Sequence, residues 1–137
     1  MKKHGRSGAA IMRNREIALS YLNAFSTGDP EEVARHVTED FENIQVGRLG
    51  TSCVGADNYR ERLSGFLSAF KKLNYEVSEV IADGDKVAVA YTMTFIDENR
   101  PIEIEGVMIM TIKDGRIVVR KDYWDGLSYQ EQSGPES

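Results

Sequence analysis

An Asp-Gly pair at positions 114 and 115 lies between two long runs of β-branched and apolar residues, and it constrains the fold more than any other feature. Two-residue loops of this kind favour positive φ at both positions, so the pair predicts a tight β-hairpin. Pairing Lys113 with Arg116 then fixes the register of the two strands. One predicted face carries charges and the tryptophan, namely Glu105, Val107, Ile109, Val118, Arg120, Asp122 and Trp124. The other face is largely aliphatic and comprises Ile104, Met108, Met110, Ile112, Ile117, Val119 and Tyr123.

Helical spacing of apolar residues predicts three helices ahead of the four long strands. The first runs from about Arg13 to Gly28 with Asn14 as its N-cap, and the second begins at Asp29 and Pro30. The third begins near residue 56, and a brief strand over 41–46 precedes it. Helices that are segregated against a meander of strands describe an α+β fold.

The strands are expected to form a four-stranded antiparallel meander that starts near Tyr75 and contains a second Asp-Gly turn at Asp83-Gly84. The chain is long enough for one domain with a substantial core. We therefore expect a single domain over 13–128, a flexible leader over 1–12 and a flexible tail over 129–137.

The charge balance narrows the range of partners. A net charge of −5 argues against nucleic acid or an anionic membrane surface as the partner, because both are polyanions. The single cysteine, Cys53, cannot form an internal disulfide, and His4 and His36 have no partners at ligand spacing. No apolar run is long enough to span a bilayer. These features predict a cytoplasmic protein without a metal or cofactor.

The aliphatic face of the predicted hairpin bears on assembly. If the helices cover the face that carries the charges, the face with Met108, Met110 and Ile112 is left bare in a monomer. An exposed apolar area of that extent usually marks an interface. We therefore expect a homodimer through the outer face of the sheet.

Two segments carry a resemblance to a known superfamily. The stretch from Tyr21 to Asp29, YLNAFSTGD, and the ending DGRI followed by DYWD at 122–125 resemble the nuclear transport factor 2-like superfamily. Within it the chain is similar to SnoaL-like polyketide cyclases, ketosteroid isomerases and limonene epoxide hydrolases. The resemblance implies a cone-shaped α-α-β-α-β-β-β-β fold, in which a curved antiparallel sheet packs against three helices around a deep apolar pocket. It identifies the fold better than the reaction, since one fold hosts many functions.

The resemblance carries over only in part. Compared with ketosteroid isomerases, Tyr21 matches the tyrosine that donates to the developing oxyanion and Trp124 matches a pocket-wall tryptophan. The two aspartates of that family fall on Gln45 and Val107, so its mechanism is not complete here. Compared with limonene epoxide hydrolases, Asp122 matches the last-strand aspartate. The arginine and the other aspartate of that triad fall on Val89 and Tyr91, so the triad is also incomplete.

Asp122 is the strongest catalytic candidate. In an apolar cavity, burial would disfavour its charged form and suit it to general acid/base work, whereas Arg120 on the same face would favour the charge. The alternative is a satisfied ion pair between the two side chains at the pocket mouth. Tyr21 and Tyr91 are the candidate donors to a substrate oxygen, or else buried tyrosines bonded to backbone carbonyls. The expected ligand-binding residues are Trp124, Arg120, Val89, Met93, Phe95, Val107 and Gln45.

Three other residues are weaker candidates. By the predicted register Glu103 and Glu105 point inward, where they would pair with Arg120 or form a second acid; the alternative, which we favour because they are near the open end of the strand, is that they are solvated. His36 is expected on the surface at the end of a short helix.

Two functions remain open from the sequence. The first is a cofactor-independent enzyme of SnoaL-like type that acts on a small, apolar, oxygenated substrate by cyclisation, isomerisation, dehydration or hydrolysis. The second is a non-catalytic module of the same fold that binds a small hydrophobic ligand or dimerises. The absence of both complete catalytic sets favours the second, and an acid that lines an enclosed pocket would favour the first.

Overall fold

The computed structural model of the chain describes residues 8–134. They form four α-helices and a curved, mixed sheet of six strands, which confirms the α+β fold class. The helices are α1 Gly8–Ala24, α2 Pro30–Ala34, α3 Ala56–Ala69 and α4 Gly126–Ser133, and a 3₁₀ turn at Phe25–Thr27 extends α1. The strands are β1 Val37–Gln45, β2 Cys53–Val54, β3 Lys71–Asp83, β4 Lys86–Asp97, β5 Arg100–Lys113 and β6 Arg116–Trp124.

The sheet has the strand order β2-β1-β6-β5-β4-β3. Strands β3 to β6 form the expected antiparallel meander. The expectation of a purely antiparallel sheet is wrong at one junction, because β1 pairs with β6 in parallel. This pairing places β1, which the sequence identified only as a brief strand, directly beside the last strand of the hairpin.

Parts of the expected leader and tail are helical. Helix α1 begins at Gly8, so residues 8–12 of the expected leader are helical, and residues 1–7 lie outside the described residues. Asn14 is not a cap but a buried residue within α1, where its Nδ2 donates to the Gly84 carbonyl over 3.4 Å. Helix α4 occupies most of the expected tail, and only residues 135–137 of it lie outside the described range. Asp29 caps α2 as predicted, accepting from the Glu31 N–H over 2.9 Å.

The hairpin forms at the predicted turn but with a different register. Asp114 and Gly115 have φ of 51° and 80°, and Lys113 pairs with Arg116. Ile112 pairs with Ile117, whereas the next residue, Thr111, pairs with Val119. The residue between them on β6, Val118, is therefore a β-bulge, and every pair beyond it is shifted by one.

The bulge reverses the predicted faces of β5. Met108 lies opposite Asp122 and Met110 opposite Arg120, so these side chains share the inner face of the sheet. The aliphatic residues expected on the outer face are in the core, with exposure of 2% or less: Ile104, Met108, Met110, Ile112 and Ile117. The predicted dimer seam is therefore wrong in these residues, and the homodimer remains a prediction without its original support.

The core lies between the inner face of the sheet and helices α1 to α3. Alternate residues of β4 point inward, as their period-two pattern predicted: Val87, Val89, Tyr91, Met93 and Phe95 are all buried. They pack with the helix residues Tyr21, Leu22, Phe25, Tyr59 and Leu63. Burial of apolar side chains is the main favourable contribution to folding, at about 25 cal/mol per Å² of apolar surface removed from water.

Candidate functional site

A cavity of about 340 Å³ opens between the inner face of the sheet and the helices α3 and α4. Most of its wall is aromatic and aliphatic, and β1 and β6 supply several of its polar groups. This is the usual composition of a small-molecule site. The lining residues from the sheet and its loops are Asn43, Gln45, Leu49, Gly50, Thr51, Tyr91, Met93, Phe95, Ile104, Arg120, Asp122 and Trp124. Those from the helical segments are Phe25, Tyr59, Arg62, Leu63, Phe66, Phe70 and Tyr129.

A buried ion pair forms the polar floor of this cavity. Arg120 Nη2 donates to Asp122 Oδ2 over 2.6 Å, and the Tyr91 hydroxyl donates to Asp122 Oδ1 over 2.6 Å. Arg120 and Asp122 are only 5% and 3% exposed. The pair therefore lies inside the molecule and not at the pocket mouth.

A glycine on β5 makes room for Tyr91. Gly106 is the cross-strand partner of Tyr91, and a Cβ at Gly106 would lie 2.5 Å from the Tyr91 hydroxyl oxygen and 2.8 Å from the Tyr123 carbonyl oxygen. Any larger residue would therefore push the phenol away from Asp122. Close approach of another group is a typical reason for a glycine inside a strand.

The other side of Arg120 faces two tyrosines. Its Nη1 donates to the Tyr21 hydroxyl over 2.7 Å and to the Tyr59 hydroxyl over 3.4 Å. The two hydroxyls also share a short hydrogen bond with each other. Tyr59 lines the cavity, whereas Tyr21 is fully buried behind it. Of these two tyrosines, Tyr59 is thus the one that belongs to the cavity wall.

The electrostatics of the floor keep its tyrosines as neutral donors. Burial raises the pKa of Tyr21, Tyr59 and Tyr91 above the ordinary value for tyrosine. For Arg120, burial works against the charged form, but Tyr21 and then Asp122 outweigh it and raise the pKa of the guanidinium well above its usual value. Arg120 therefore stays charged, and it connects the carboxylate on one side with the phenols on the other.

One N–H of Arg120 has no hydrogen-bond acceptor. Among the side chains of residues 8–134, Arg120 Nε is the one fully buried nitrogen or oxygen without a partner. The guanidinium carbon lies 5.7 Å from the ring centres of both Tyr21 and Phe25. A cation so placed is attracted by the ring faces, which offsets part of the missing hydrogen bond.

A second polar chain runs along the cavity wall beside the ion pair. Trp124 Nε1 donates to Gln45 Oε1 over 2.8 Å, and Gln45 Nε2 donates to Asn43 Oδ1 over 2.8 Å. The parallel pairing of β1 with β6 brings these residues together, because Asn43 pairs with Arg120 and Gln45 with Asp122.

The structure brings most of the predicted site residues together. Asp122, Arg120, Tyr91, Trp124, Gln45, Met93 and Phe95 all line the cavity. Val89 is fully buried and faces the core without lining it. The expectation for Val107 is wrong, because the register shift at the bulge puts this residue on the outer face, where it is 40% exposed. Glu103 and Glu105 are also exposed, which agrees with their solvated interpretation.

Several lining residues have no distinguishing pattern in the sequence. Tyr59 lies on α3 at helical spacing with other apolar residues, a pattern that indicates core packing and nothing more. Asn43 sits in a strand whose partner could not be read from the sequence. Tyr129 belongs to α4, and its hydroxyl donates to Asp97 over 3.1 Å. The available signal for that helix was Asp125, a residue type that favours N-caps, which accepts from the Ser128 N–H and caps the helix.

Arg62 also lines the cavity, and its guanidinium donates to the Thr51 and Ser52 carbonyls, whereas His36 does not line it. Across the described part of the chain, no cluster of three or more His, Cys, Asp or Glu side chains is arranged to hold a metal ion. His36 was expected on the surface but is buried, with its Nδ1 3.2 Å from the Val33 carbonyl and its Nε2 2.9 Å from the Ser20 hydroxyl. Between residues 8 and 134, none of the helices has the length and apolar character to cross a membrane.

Comparison with known proteins identifies relatives at the level of the domain. The profile of the SnoaL-like domain matches residues 18–120. No sequence among curated proteins matches the chain significantly.

Solved structures share the fold at low sequence identity. A protein from Catenulispora acidiphila with a ketosteroid isomerase-like fold, in complex with trimethylamine, has a TM-score of 0.80 at 15% identity and covers 88% of this chain and 94% of its own. An LEH-like epoxide hydrolase from M. tuberculosis has a TM-score of 0.80 at 19% identity and 90% coverage of each chain. A candidate SnoaL-like polyketide cyclase from Jannaschia sp. CCS1 has a TM-score of 0.80 at 18% identity, with 98% and 100% coverage.

Proposed function

Because the chain belongs to the SnoaL-like domain family, we propose that it is a cofactor-independent enzyme that performs acid/base chemistry on a small, largely apolar, oxygenated substrate. The observation that carries this proposal is the placement of Arg120. Its guanidinium contacts a carboxylate and a pair of phenols at the floor of one apolar cavity. A proton acceptor and an oxygen-binding group are thus coupled through a single buried cation.

Asp122 is the proton acceptor in this mechanism. Each of its oxygens accepts one hydrogen bond, from Tyr91 or from Arg120, which leaves further lone pairs for a proton of the substrate or of a water molecule. The two bonds also fix the orientation of the carboxylate, so little reorganisation is needed at the moment of proton transfer. Tyr91 is hydrogen-bonded to Asp122 and acts here as a positioning residue.

Tyr59 binds the oxygen on which negative charge develops. Tyr59 lines the cavity, and its hydroxyl contacts the Tyr21 hydroxyl and the Arg120 cation. A phenol that is polarised by a cation donates more strongly to an oxyanion than to a neutral oxygen, so it stabilises the transition state more than the ground state. Trp124, Met93 and Phe95 shape the apolar part of the cavity around the substrate.

One observation favours a second function, a non-catalytic module that binds a small hydrophobic ligand. Both oxygens of Asp122 already have short hydrogen bonds to protein groups. A carboxylate so well satisfied also suits a purely structural floor for the cavity. The two functions make different predictions for turnover, which decides between them.

The proposal is tested by turnover of a panel of epoxides, cyclic ketones and polyketide-like phenols, with exchange of the α-protons of the ketones in D₂O followed by NMR. We expect turnover or exchange with the wild-type protein, and its loss in the Asp122→Asn and Tyr59→Phe variants while ligand binding persists. Tyr59→Phe is the cleaner variant, because it leaves the buried ion pair intact.

Two controls accompany this experiment. Tyr123→Phe changes a tyrosine that is 43% exposed on the outer face and should leave turnover unchanged. Full activity in both site variants would refute the assigned roles of Asp122 and Tyr59. Binding of panel compounds without any conversion would instead support the ligand-binding module.

A further inference from the structure

The hydrogen-bond chain along the cavity wall has only one arrangement of its donors and acceptors. An indole N–H can only donate, so Trp124 requires the oxygen of the Gln45 amide to face it. The amide nitrogen of Gln45 then points the other way and requires the oxygen of Asn43. Trp124 therefore sets the orientation of two successive amides through hydrogen bonds of 2.8 Å each.

This arrangement directs the Asn43 amide nitrogen away from Gln45. Asn43 is 8% exposed and lines the cavity. Its Nδ2 donates to no other residue within 8–134. Among these residues, Arg120 Nε is the one unpartnered side-chain nitrogen that is fully enclosed, so Asn43 Nδ2 retains some exposure. The Asn43 amide nitrogen is thus not sealed inside the protein, and the residue that carries it lines the cavity.

We propose that Asn43 is a binding subsite for an acceptor oxygen of the ligand, of the carbonyl, ether or epoxide class, and that Gln45 and Trp124 are positioning residues for it. Nothing in the chain Trp124–Gln45–Asn43 carries a formal charge, so the subsite suits an uncharged oxygen. A hydrocarbon of the same shape leaves the amide N–H groups unpaired once it displaces water from them, which costs affinity.

The subsite also specifies how a substrate lies in the cavity. Asn43 and Gln45 lie on β1 directly beside Arg120 and Asp122 on β6. An oxygen held by Asn43 therefore lies one strand away from the ion pair. This step deepens the proposed function, but binding at Asn43 does not require any proton transfer by Asp122.

The test compares two probes that differ only in the acceptor, 1-indanone and indane, by calorimetry or ligand-observed NMR on the full chain. We expect the wild-type protein to bind 1-indanone about tenfold more tightly than indane. Asn43→Leu should abolish the preference. Gln45→Glu should reduce it strongly, because a carboxylate still accepts from Trp124 but no longer donates to Asn43.

The matched control is Glu42→Gln, which changes an exposed neighbour on the same strand and should keep the preference. Circular dichroism melts establish that each variant is folded. Equal binding of both probes by the wild type, no binding of 1-indanone, or a preference that survives in Asn43→Leu would each overturn the proposal. A preference that survives in Gln45→Glu would overturn the positioning role. Because binding is measured without turnover, an inactive Asp122→Asn variant has no bearing on this result.

Discussion

At the scale of single residues, the buried pair of Arg120 and Asp122 is both the centre of the site and a risk to stability. Both side chains are almost fully buried, and each charge compensates the other. Attraction between two buried charges roughly offsets the cost of removing them from water, so such a pair contributes little net stability. Folding stability alone therefore does not account for the pair, which agrees with the proposed function.

Removing one partner of this pair should be far more costly than removing both. We expect Arg120→Met to lower the free energy of unfolding by about 3–5 kcal/mol, because it leaves the Asp122 carboxylate buried without a cation. The double variant Arg120→Met/Asp122→Leu should recover much of that loss. Urea denaturation of the wild type and both variants measures these differences. Equal losses in the single and double variants would contradict the account.

His36 links stability to pH at a second buried position. Burial lowers the pKa of His36 below the 6.5 of a free histidine, although the hydrogen bond to the Val33 carbonyl opposes the shift. The unfolded chain therefore takes up the proton first as the pH falls. The contribution of neutral His36 to the free energy of unfolding is fully present above pH 6.5. It is lost as the pH falls through the lower pKa of His36 in the folded state.

The experiment is a series of denaturation curves between about pH 7.5 and 5.5, where carboxylates contribute little to the slope. We expect the wild-type free energy of unfolding to fall across this range. His36→Gln should be less stable at neutral pH but show a flatter dependence. A wild-type curve that rises toward acid pH would refute the assigned burial of the neutral imidazole.

The residue types in the last strand were enough to predict part of the candidate site. Asp122, Arg120 and Trp124 stood out because charges and a tryptophan at period-two spacing are unusual in a buried strand. Tyr59 and Asn43 did not, because a tyrosine on an amphipathic helix and an asparagine in a short strand are unremarkable until the sheet brings them to the same cavity. Their roles depend on long-range pairing, which local pattern cannot supply.

At the scale of elements, the bulge at Val118 explains why the turn was predicted correctly and the faces were not. The Asp-Gly signal is local and concerns only the turn residues. Simple alternation then assumes an uninterrupted ladder, and one extra residue on β6 reverses the assignment of every β5 residue beyond it. The bulge also allows Ile117, Arg120 and Asp122 to point to the same inner side.

Deletion of Val118 should therefore be severe, although its side chain is only partly buried. Without the extra residue, either Ile117 leaves the core or Arg120 and Asp122 turn to the outer face. We expect no cooperative unfolding transition by circular dichroism. The control Val118→Ala keeps the bulge and should cost only about 1 kcal/mol. A deletion variant that melts like the wild type would show that the register can slip without loss.

Helix α4 has no local apolar pattern in the sequence that predicts it. None of its residues is buried, so no apolar stripe marks it as a helix. It is held by polar contacts that are distant in sequence: Gln132 accepts from the Glu103 N–H over 2.8 Å and donates to the Glu103 carbonyl over 2.7 Å. These contacts bring Tyr129 against Phe70, Phe95 and Trp124, so a polar segment completes an apolar cavity.

At the scale of the whole molecule, the sequence predicts the architecture because helices α1 to α3 all precede the four long strands of the meander. Period-two alternation in β4 and the two Asp-Gly turns determine the meander, and the helical stripes determine what covers it. The parallel pairing of β1 with β6 has no local signal, since it joins segments about eighty residues apart. That pairing builds the polar wall of the cavity, so the proposed function depends on the least predictable contact.

The two faces of the sheet can be distinguished by one pair of neighbouring substitutions on β5. Met108 is fully buried opposite Asp122, whereas Val107 is 40% exposed on the outer face. We expect Met108→Glu to unfold the protein, because a second carboxylate beside Asp122 is buried without a cation, at a cost of about 3 kcal/mol or more. Val107→Glu should fold normally and bind 1-indanone as the wild type does. The uninterrupted register predicts the reverse, with Val107 in the cavity and Met108 outside, so circular dichroism and binding separate the two registers.

The homodimer is tested by light scattering of the wild type and Val107→Glu at micromolar concentration. If two copies meet through the outer face of the sheet, the added carboxylate on that face should shift the protein toward monomer.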